Sequence, residues 1–341
     1  MARRVFLHLG LPKTATTYLQ TILWASRDRL RADGVLLPGE ERRDHLWASR
    51  VVREDPNLER QPERHRTAWA RLRAELAAWD GDGLVSHEFF AAASAAQAAA
   101  MIAELAPAEV HLVATAREPL GLFTASWQES LKNRNTVPLP EYARSVSKSP
   151  HAIWNWRTLD LRLVLRRWAP TLPPERVHVL PLHRGGPREA IWETFAGVVG
   201  VDPAAYDTGL SFPNESMGVV EAETLRRVNE HLGSFERAFD RGVYIRTFLA
   251  DERLVPRGGD RYWPEPDQVE DCRRRGRRAV RYVERHGFDV RGDLADLLVP
   301  DDLEERRSVT SVTDAEVADV AVQLVARLLE DVRELRGGDT R

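Results

Sequence analysis

The chain has 341 residues, enough to bury a large core as one enlarged α/β domain or as a domain with an appendage. Its 49 lysines and arginines against 52 acidic residues leave a formal charge of −3, which excludes the strongly basic balance of a general nucleic-acid binder. A single cysteine, Cys272, excludes an internal disulfide framework and a cysteine-based metal cluster.

Arg3 and Arg4 precede an apolar run, as in a signal peptide. That run is broken by His8 and ended by Pro12-Lys13, with no cleavage-like tail. No apolar stretch approaches membrane-spanning length, so the expectation is a soluble, cytoplasmic protein. In chain order, Val5–Leu9 reads as a buried strand. Gly10-Leu11-Pro12-Lys13-Thr14-Ala15-Thr16-Thr17 reads as a tight loop, and Tyr18 onward as the opening of a helix. Residues 39–66 are charged and patternless, the mark of a mobile surface loop. Thr67–Trp79 carries Trp69, Leu72, Leu76 and Trp79 at helical spacing. Gly83–Ser86 is the next strand. Ala91–Leu105 is an alanine-rich helix closed by Pro107, and Val110–Thr115 is a third strand.

Residues 132–152, with Pro138 and Pro140, form a long loop of the kind found near a site. Leu159–Trp168 and Ala190–Val199 read as helices flanking a fourth strand, Val177–Pro181. Beyond Pro213 the character changes. Residues 216–240 and 267–286 are charged helices separated by the Gly/Pro-containing stretch Val255–Pro266. A capping box, Thr313-Asp314-Ala315-Glu316, opens the last helix. That helix sets Val317, Val320, Ala321, Leu324, Leu328 and Val332 on one face. This face is expected to pack on the core, with a homodimer as the second reading. The domains expected are therefore an α/β core over 1–212 and a C-terminal helical region over 213–341 that packs on it. Strands alternating with helices predict a three-layer α/β/α fold with a central, mainly parallel sheet.

Two constellations carry chemistry. A strand followed by a helix N-terminus offers unpaired N–H groups and a positive dipole end, a ready anion site. Lys13 stands at that turn in a chain with only three lysines (Lys13, Lys132, Lys148) among its 49 basic residues. An ammonium is a compact point charge, which a guanidinium fork replaces poorly. The Walker pattern G-x-x-x-x-G-K-[ST] is absent, and neither Glu88 nor Glu118 sits in a Walker-B setting. The site therefore looks built for an anion that needs no metal. The second constellation is Arg117, at the C-terminal end of the strand Val110–Thr115, facing the crevice where open α/β sheets bind ligands. Its planar fork suits a phosphate.

Together these residues resemble the PAPS-dependent sulfotransferases, clearly over residues 4–130 and thinly beyond 200. Gly10–Gln20 is similar to that family's 5′-phosphosulfate loop, P-K-[TS]-[GA]-T-T with a trailing L-Q. Residues 110–126 are similar to its 3′-phosphate motif, a strand ending in R-x-P followed about eight residues later by serine. The resemblance implies a P-loop NTPase-like sulfotransferase fold. It assigns Gly10, Pro12, Lys13, Thr14, Ala15, Thr16 and Thr17 to the 5′-phosphosulfate, with Lys13 also stabilising the leaving oxygen. Arg117 takes the 3′-phosphate. Ser126 lies nine residues after Arg117, while the family offset falls on Ala125, so Ser126 or Thr124 would complete that contact.

Transfer to an alcohol needs a base. Related enzymes place a histidine or glutamate near the end of the strand Gly83–Ser86, where His87 and Glu88 stand. Strand parity favours Glu88, and a near-neutral pKa favours His87. Trp154 and Trp156, after the long loop, are the candidates to line an acceptor pocket. Arg257-Gly258-Gly259 faintly resembles the basic-glycine loop that some sulfotransferases fold over the 3′-phosphate, and is read here chiefly as a plain loop. The arginines Arg273–Arg275, Arg277, Arg278 and Arg281 read chiefly as a solvated helix face, with a phosphate grip as the second reading.

The expectation is a metal-free transfer of a sulfuryl group from PAPS to a hydroxyl of a small or carbohydrate acceptor. The products are a sulfate ester and adenosine 3′,5′-bisphosphate. Two rivals are a P-loop kinase or nucleotide hydrolase, which would demand Mg²⁺, and a catalytically silent nucleotide-binding module.

Overall fold

The computed structural model describes residues 1–209 and 216–338. Eight strands occur among them: β1 (Arg4–His8), β2 (Val35–Leu36), β3 (Asp82–Ser86), β4 (Glu109–Ala116), β5 (Val177–Pro181), β6 (Tyr262–Trp263), β7 (Asp289–Val290) and β8 (Arg307–Ser308). Six of them form one sheet in the order β2-β3-β1-β4-β5-β7, every pair parallel. The four strands expected from the sequence are all present. Those it did not indicate, β2, β6, β7 and β8, are two residues each, too short to carry a period.

Strand β1 lies at the centre, paired with β3 on one side and β4 on the other. Val5, Phe6 and Leu7 are all buried, as a parallel strand covered on both faces requires. On one face, Phe6, Leu84, Val113 and Leu180 pack with Leu19 and Ile22 of the helix Thr16–Ala25 and with Trp192 and Phe195 of the helix Ala190–Val199. On the other face the helix Ala68–Ala78 lies so close at Gly83 that a β-carbon there would stand 2.2 Å from Leu76 Cδ2. Helices thus cover both faces of a parallel sheet, the α/β/α arrangement.

The chain divides into two compact units. One holds Met1–Phe123, Ser145–Phe212 and Asp271–Val299, and with them the six-stranded sheet. The other holds Thr124–Arg144, Pro213–Glu270 and Pro300–Arg341, with the β6-β8 pair and the helices Val219–Glu230 and Asp314–Gly338. The boundary expected at 212/213 lies outside the described residues. The units also interleave: 124–144 joins the later segments, and 271–299 returns to the sheet to supply β7.

Three expectations are corrected. Residues 39–66 contain an ordered helix, Arg42–Val52. Its buried face consists of Asp44, His45, Ala48 and Ser49. Asp44 accepts from the N–H groups of Glu40 (2.8 Å) and Glu41 (3.3 Å) and from Arg71 (2.8 Å). A buried face built from satisfied polar groups leaves no hydrophobic period to read. Second, the helix expected over Ala91–Leu105 begins only at Ala95, because Ser94 forms a reciprocal capping box with Gln97 (3.2 and 3.0 Å). Third, Trp156 does not line a pocket. It is buried between the Phe123 ring, stacked at 5.2 Å, and the Arg275 guanidinium, 4.2 Å from its ring centre.

Arg275 also pairs at 2.8 Å with the buried carboxylate of Asp160, whose other oxygen caps the helix Leu161–Trp168 through Leu163 N–H (3.2 Å). It is therefore a structural member of the arginine-rich run. Removing it in Arg275→Ala leaves Asp160 unpaired and should cost about 3 kcal/mol in urea unfolding. Arg274→Ala, which breaks only an exposed pair with Asp271, should cost about 0.5 kcal/mol or less. Equal losses in the two variants would refute the assignment.

Candidate functional site

After β1 the chain steps outward to β2 and β3 and then crosses back to β4 on the opposite side. The order of strands therefore reverses at β1/β4, and the crevice beyond their C-terminal ends is where such sheets receive ligands. The loop 10–15 leaves β1 at this point, and Arg117 follows β4 there. Leu9 N–H and Leu11 N–H donate to Val113 O and Thr115 O, both at 3.0 Å, and bind the loop to β4. Gly10 has φ +48°, and a β-carbon on it would stand 2.2 Å from Thr16 Cγ2 and 2.9 Å from Thr115 Oγ1. Only glycine fits.

Beneath the loop runs a line of buried polar groups whose proton directions are fixed from one end. Thr14 Oγ1 donates to Leu11 O at 2.6 Å, a carbonyl that can only accept. Its 2.9 Å contact with Thr115 Oγ1 is therefore donated by Thr115. Thr115 in turn accepts from His8 Nε2–H at 3.3 Å, and His8 Nδ1 accepts from Ser86 Oγ at 2.7 Å. His8 is wholly buried, and burial lowers its pKa to about 4, so the ring is neutral, as the line requires. Ser86 is held from a second side: its N–H donates to His45 Nδ1 at 3.0 Å, while His45 Nε2 donates to Pro38 O at 2.8 Å. Burial lowers the His45 pKa to about 4 as well.

Lys13 (φ +68°) and Ala15 (φ +60°) are left-handed, a strained conformation for residues with a β-carbon. The helix Thr16–Ala25 starts at Ala15 with no side-chain cap, so no side chain of the N-cap residue satisfies its first N–H groups. Among the threonines the sequence singled out, Thr14 is spent on the loop itself, Thr16 is buried beneath Gly10, and Thr17 is exposed. Arg117 is 42% exposed and lines a small cleft with Pro119, Asp160 and Arg275. Beside it, Glu118 accepts from the N–H groups of Leu120 and Gly121, each at 2.7 Å, and caps the helix Pro119–Leu131. Ser126 is a correction. It is fully buried, and its hydroxyl shares a 2.7 Å bond with Tyr142 OH, so it is not offered to a phosphate. Thr124, on the same helix, is half-buried.

At the end of β3, His87 continues the pairing with β1 through its N–H to His8 O (3.1 Å). His87 Nδ1 accepts from Phe89 N–H at 3.1 Å, and burial lowers its pKa. The neutral ring therefore carries its proton on Nε2 and has no free lone pair for an incoming proton. Glu88 Oε2 accepts from Gln20 Nε2 at 3.4 Å, and Gln20 Oε1 accepts from Arg42 Nε at 3.0 Å. Burial pushes the Glu88 pKa up, but its own backbone N–H, the Arg42 charge and Gln20 hold the carboxyl below its usual value. Gln20 links Glu88 to the helix that the Lys13 loop opens. Phe89 stands edge-on to His87 (4.8 Å) and to Trp154 (6.1 Å), so Trp154, unlike Trp156, packs against the residue that follows Glu88.

Sequence reasoning missed His8, Arg42, His45 and Thr115. For His8 a signal existed, a polar residue inside an otherwise apolar strand. For Arg42 and His45 there was none, since both lie in the segment without a pattern. Among the described residues, no group of three or more His, Cys, Asp or Glu side chains could hold a metal ion. No described helix is long and apolar enough to cross a membrane. Neither protein-family models, curated proteins nor solved structures match this chain.

His8 and His45 are neutral when folded and titrate near 6.5 when unfolded. The unfolded chain therefore binds more protons below pH 6.5, and stability falls from there to about pH 4, where the folded rings also charge. Each ring accounts for up to about 3 kcal/mol across that window. Urea unfolding between pH 7.5 and pH 4.5 should show this decline, reduced in His45→Gln; stability that is flat with pH in the wild type would contradict it.

Proposed function

We propose that the protein is a PAPS-dependent sulfotransferase acting on a hydroxyl of a small or carbohydrate acceptor. The observation that carries this reading is the meeting of two anion-binding elements at one topological reversal. One is a lysine-bearing loop opening an uncapped helix after β1; the other is a half-exposed arginine at the end of the adjacent β4.

In this reading the loop N–H groups and Lys13 bind the 5′-phosphosulfate, and Arg117 binds the 3′-phosphate bidentately. The acceptor oxygen attacks sulfur in line, and the bond from sulfur to the 5′-phosphate oxygen breaks. The ammonium of Lys13 and the helix dipole stabilise charge on that departing oxygen. Glu88 takes the acceptor's proton. The hydroxyl becomes acidic as its oxygen bonds to sulfur, so a carboxylate of low pKa suffices if it is already ionised and fixed, as Gln20 fixes Glu88. His87, with its proton on Nε2, serves better as a donor to the acceptor than as the base. Trp154 and Phe89 supply an apolar wall for the acceptor. Thr14 contributes by holding the loop rather than by touching the ligand.

Calorimetry with adenosine 3′,5′-bisphosphate, without magnesium, tests the donor site. Wild type should bind it in preference to AMP or ATP, and Lys13→Ala and Arg117→Ala should each weaken binding tenfold or more, roughly 1.4 kcal/mol. No binding, or magnesium-dependent preference for ATP, would replace this reading with a kinase-like one. Glu88→Gln should keep bisphosphate affinity within about twofold yet lower kcat by about a hundredfold. Undiminished turnover in that variant would remove Glu88 from the mechanism.

A further inference from the structure

The helix Asp314–Gly338 faces two ways. Val317, Val320 and Leu324 are buried, and Asp331 on the same side pairs with Arg253 at 3.0 Å. About a third of a turn away, Val322, Val325, Leu329 and Val332 are between 43% and 68% exposed, and Leu328 (36%) and Leu335 (76%) stand on the edge nearer the buried side. Four of these, 322, 325, 329 and 332, follow the three-then-four spacing with which one helix seats knobs into another. Scattered exposed apolar residues need no explanation, but a continuous stripe at this spacing is a helix-sized interface.

The flanking charges name the occupant. The outer edge of the stripe carries Asp319, Ala326 and Arg333, one heptad apart. A two-fold axis near residue 327 makes the helix antiparallel to its own copy and stacks Val322 against Val332 and Val325 against Leu329 across the seam. It also brings Asp319 of one copy beside Arg333 of the other, about two residues or ~3 Å from level along the helix, and does so twice. A parallel pairing would set that edge against Ala321, Leu328 and Leu335 instead and leave both charges unmatched. Self-complementarity of this kind is what a two-fold symmetric interface requires.

We propose that the chain forms a homodimer through antiparallel pairing of its C-terminal helices over 318–335. The inference is independent of the sulfotransferase reading. Sedimentation equilibrium of the full chain should give twice the monomer mass in the micromolar range, and Leu329→Glu should give the monomer mass with an unchanged far-ultraviolet circular dichroism spectrum, since the position is exposed. Asp319→Arg and Arg333→Asp should each raise the dimer dissociation constant about tenfold by opposing like charges, and the double variant should restore it. A monomeric wild type, a dimer indifferent to Leu329→Glu, or charge reversals without mutual rescue would each overturn the proposal and assign the stripe to another occupant.

Discussion

The arrangement of the site depends on a single buried line of hydrogen bonds running from Ser86 through His8, Thr115 and Thr14 to the carbonyl of Leu11. It crosses the C-terminal ends of β3, β1 and β4 and finishes inside the loop that carries Lys13. Every member has a role fixed by its neighbour, so the line works only with neutral His8 and with hydroxyls at 14, 86 and 115. Backbone pairing alone would align the strands but leave the loop free to pivot at Gly10. The line ties the loop from below, and Lys13 and Ala15 within that loop are left-handed. A loop so constrained holds its N–H groups in one geometry, which is what the proposed stabilisation of a transferring group would require.

Charge is distributed over the crevice in a matching way. Lys13 and Arg117 stand on the β1/β4 side, and the ionised Glu88 stands on the β3 side. Between them Gln20 bridges, donating to Glu88 and accepting from Arg42. An amide can do this without adding charge, so Glu88 is oriented by a neutral group, with the Arg42 guanidinium one residue further away. The arrangement separates the cationic side chains from a carboxylate across the width of one strand, the separation that the proposed transfer between two substrates would use.

Much of this was legible in the sequence because it obeys local rules. The long strands are apolar runs, the loop is a strand-to-helix turn with glycine where φ is positive, and Arg117 stands at a strand end. What could not be read was whatever rests on polar burial. The helix Arg42–Val52 hides Asp44, His45 and Ser49, so hydropathy describes it as a surface segment although it buttresses Ser86. Ser126 was indicated by a spacing in sequence, yet its rotation about the helix axis places it inside, against Tyr142. Trp154 and Trp156, two residues apart, have opposite fates for the same reason: direction is set by tertiary packing, which composition does not encode.

Several arginines of this chain do work that a lysine could not, and the contrast bears on Lys13. Buried or half-buried arginines in this chain stitch irregular segments by donating to several backbone carbonyls at once. Arg167 reaches Ala91 O, Ala93 O and Arg157 O, and Arg157 reaches Ala92 O and Lys148 O. Arg134 reaches Leu232 O and Gly233 O, and Arg53 reaches Pro150 O. Burial lowers the pKa of Arg53 to about 10 and that of Arg167 to about 9, yet both stay charged at neutral pH because the guanidinium starts so high. A lysine has three donors on one atom and could not span such sites. The reverse holds at position 13, where the chain turns through a left-handed residue into a helix end already supplied with N–H donors. On the proposed reading, a planar fork there would compete with those donors for the anion, whereas a single ammonium on a flexible stem would add charge without imposing a second geometry.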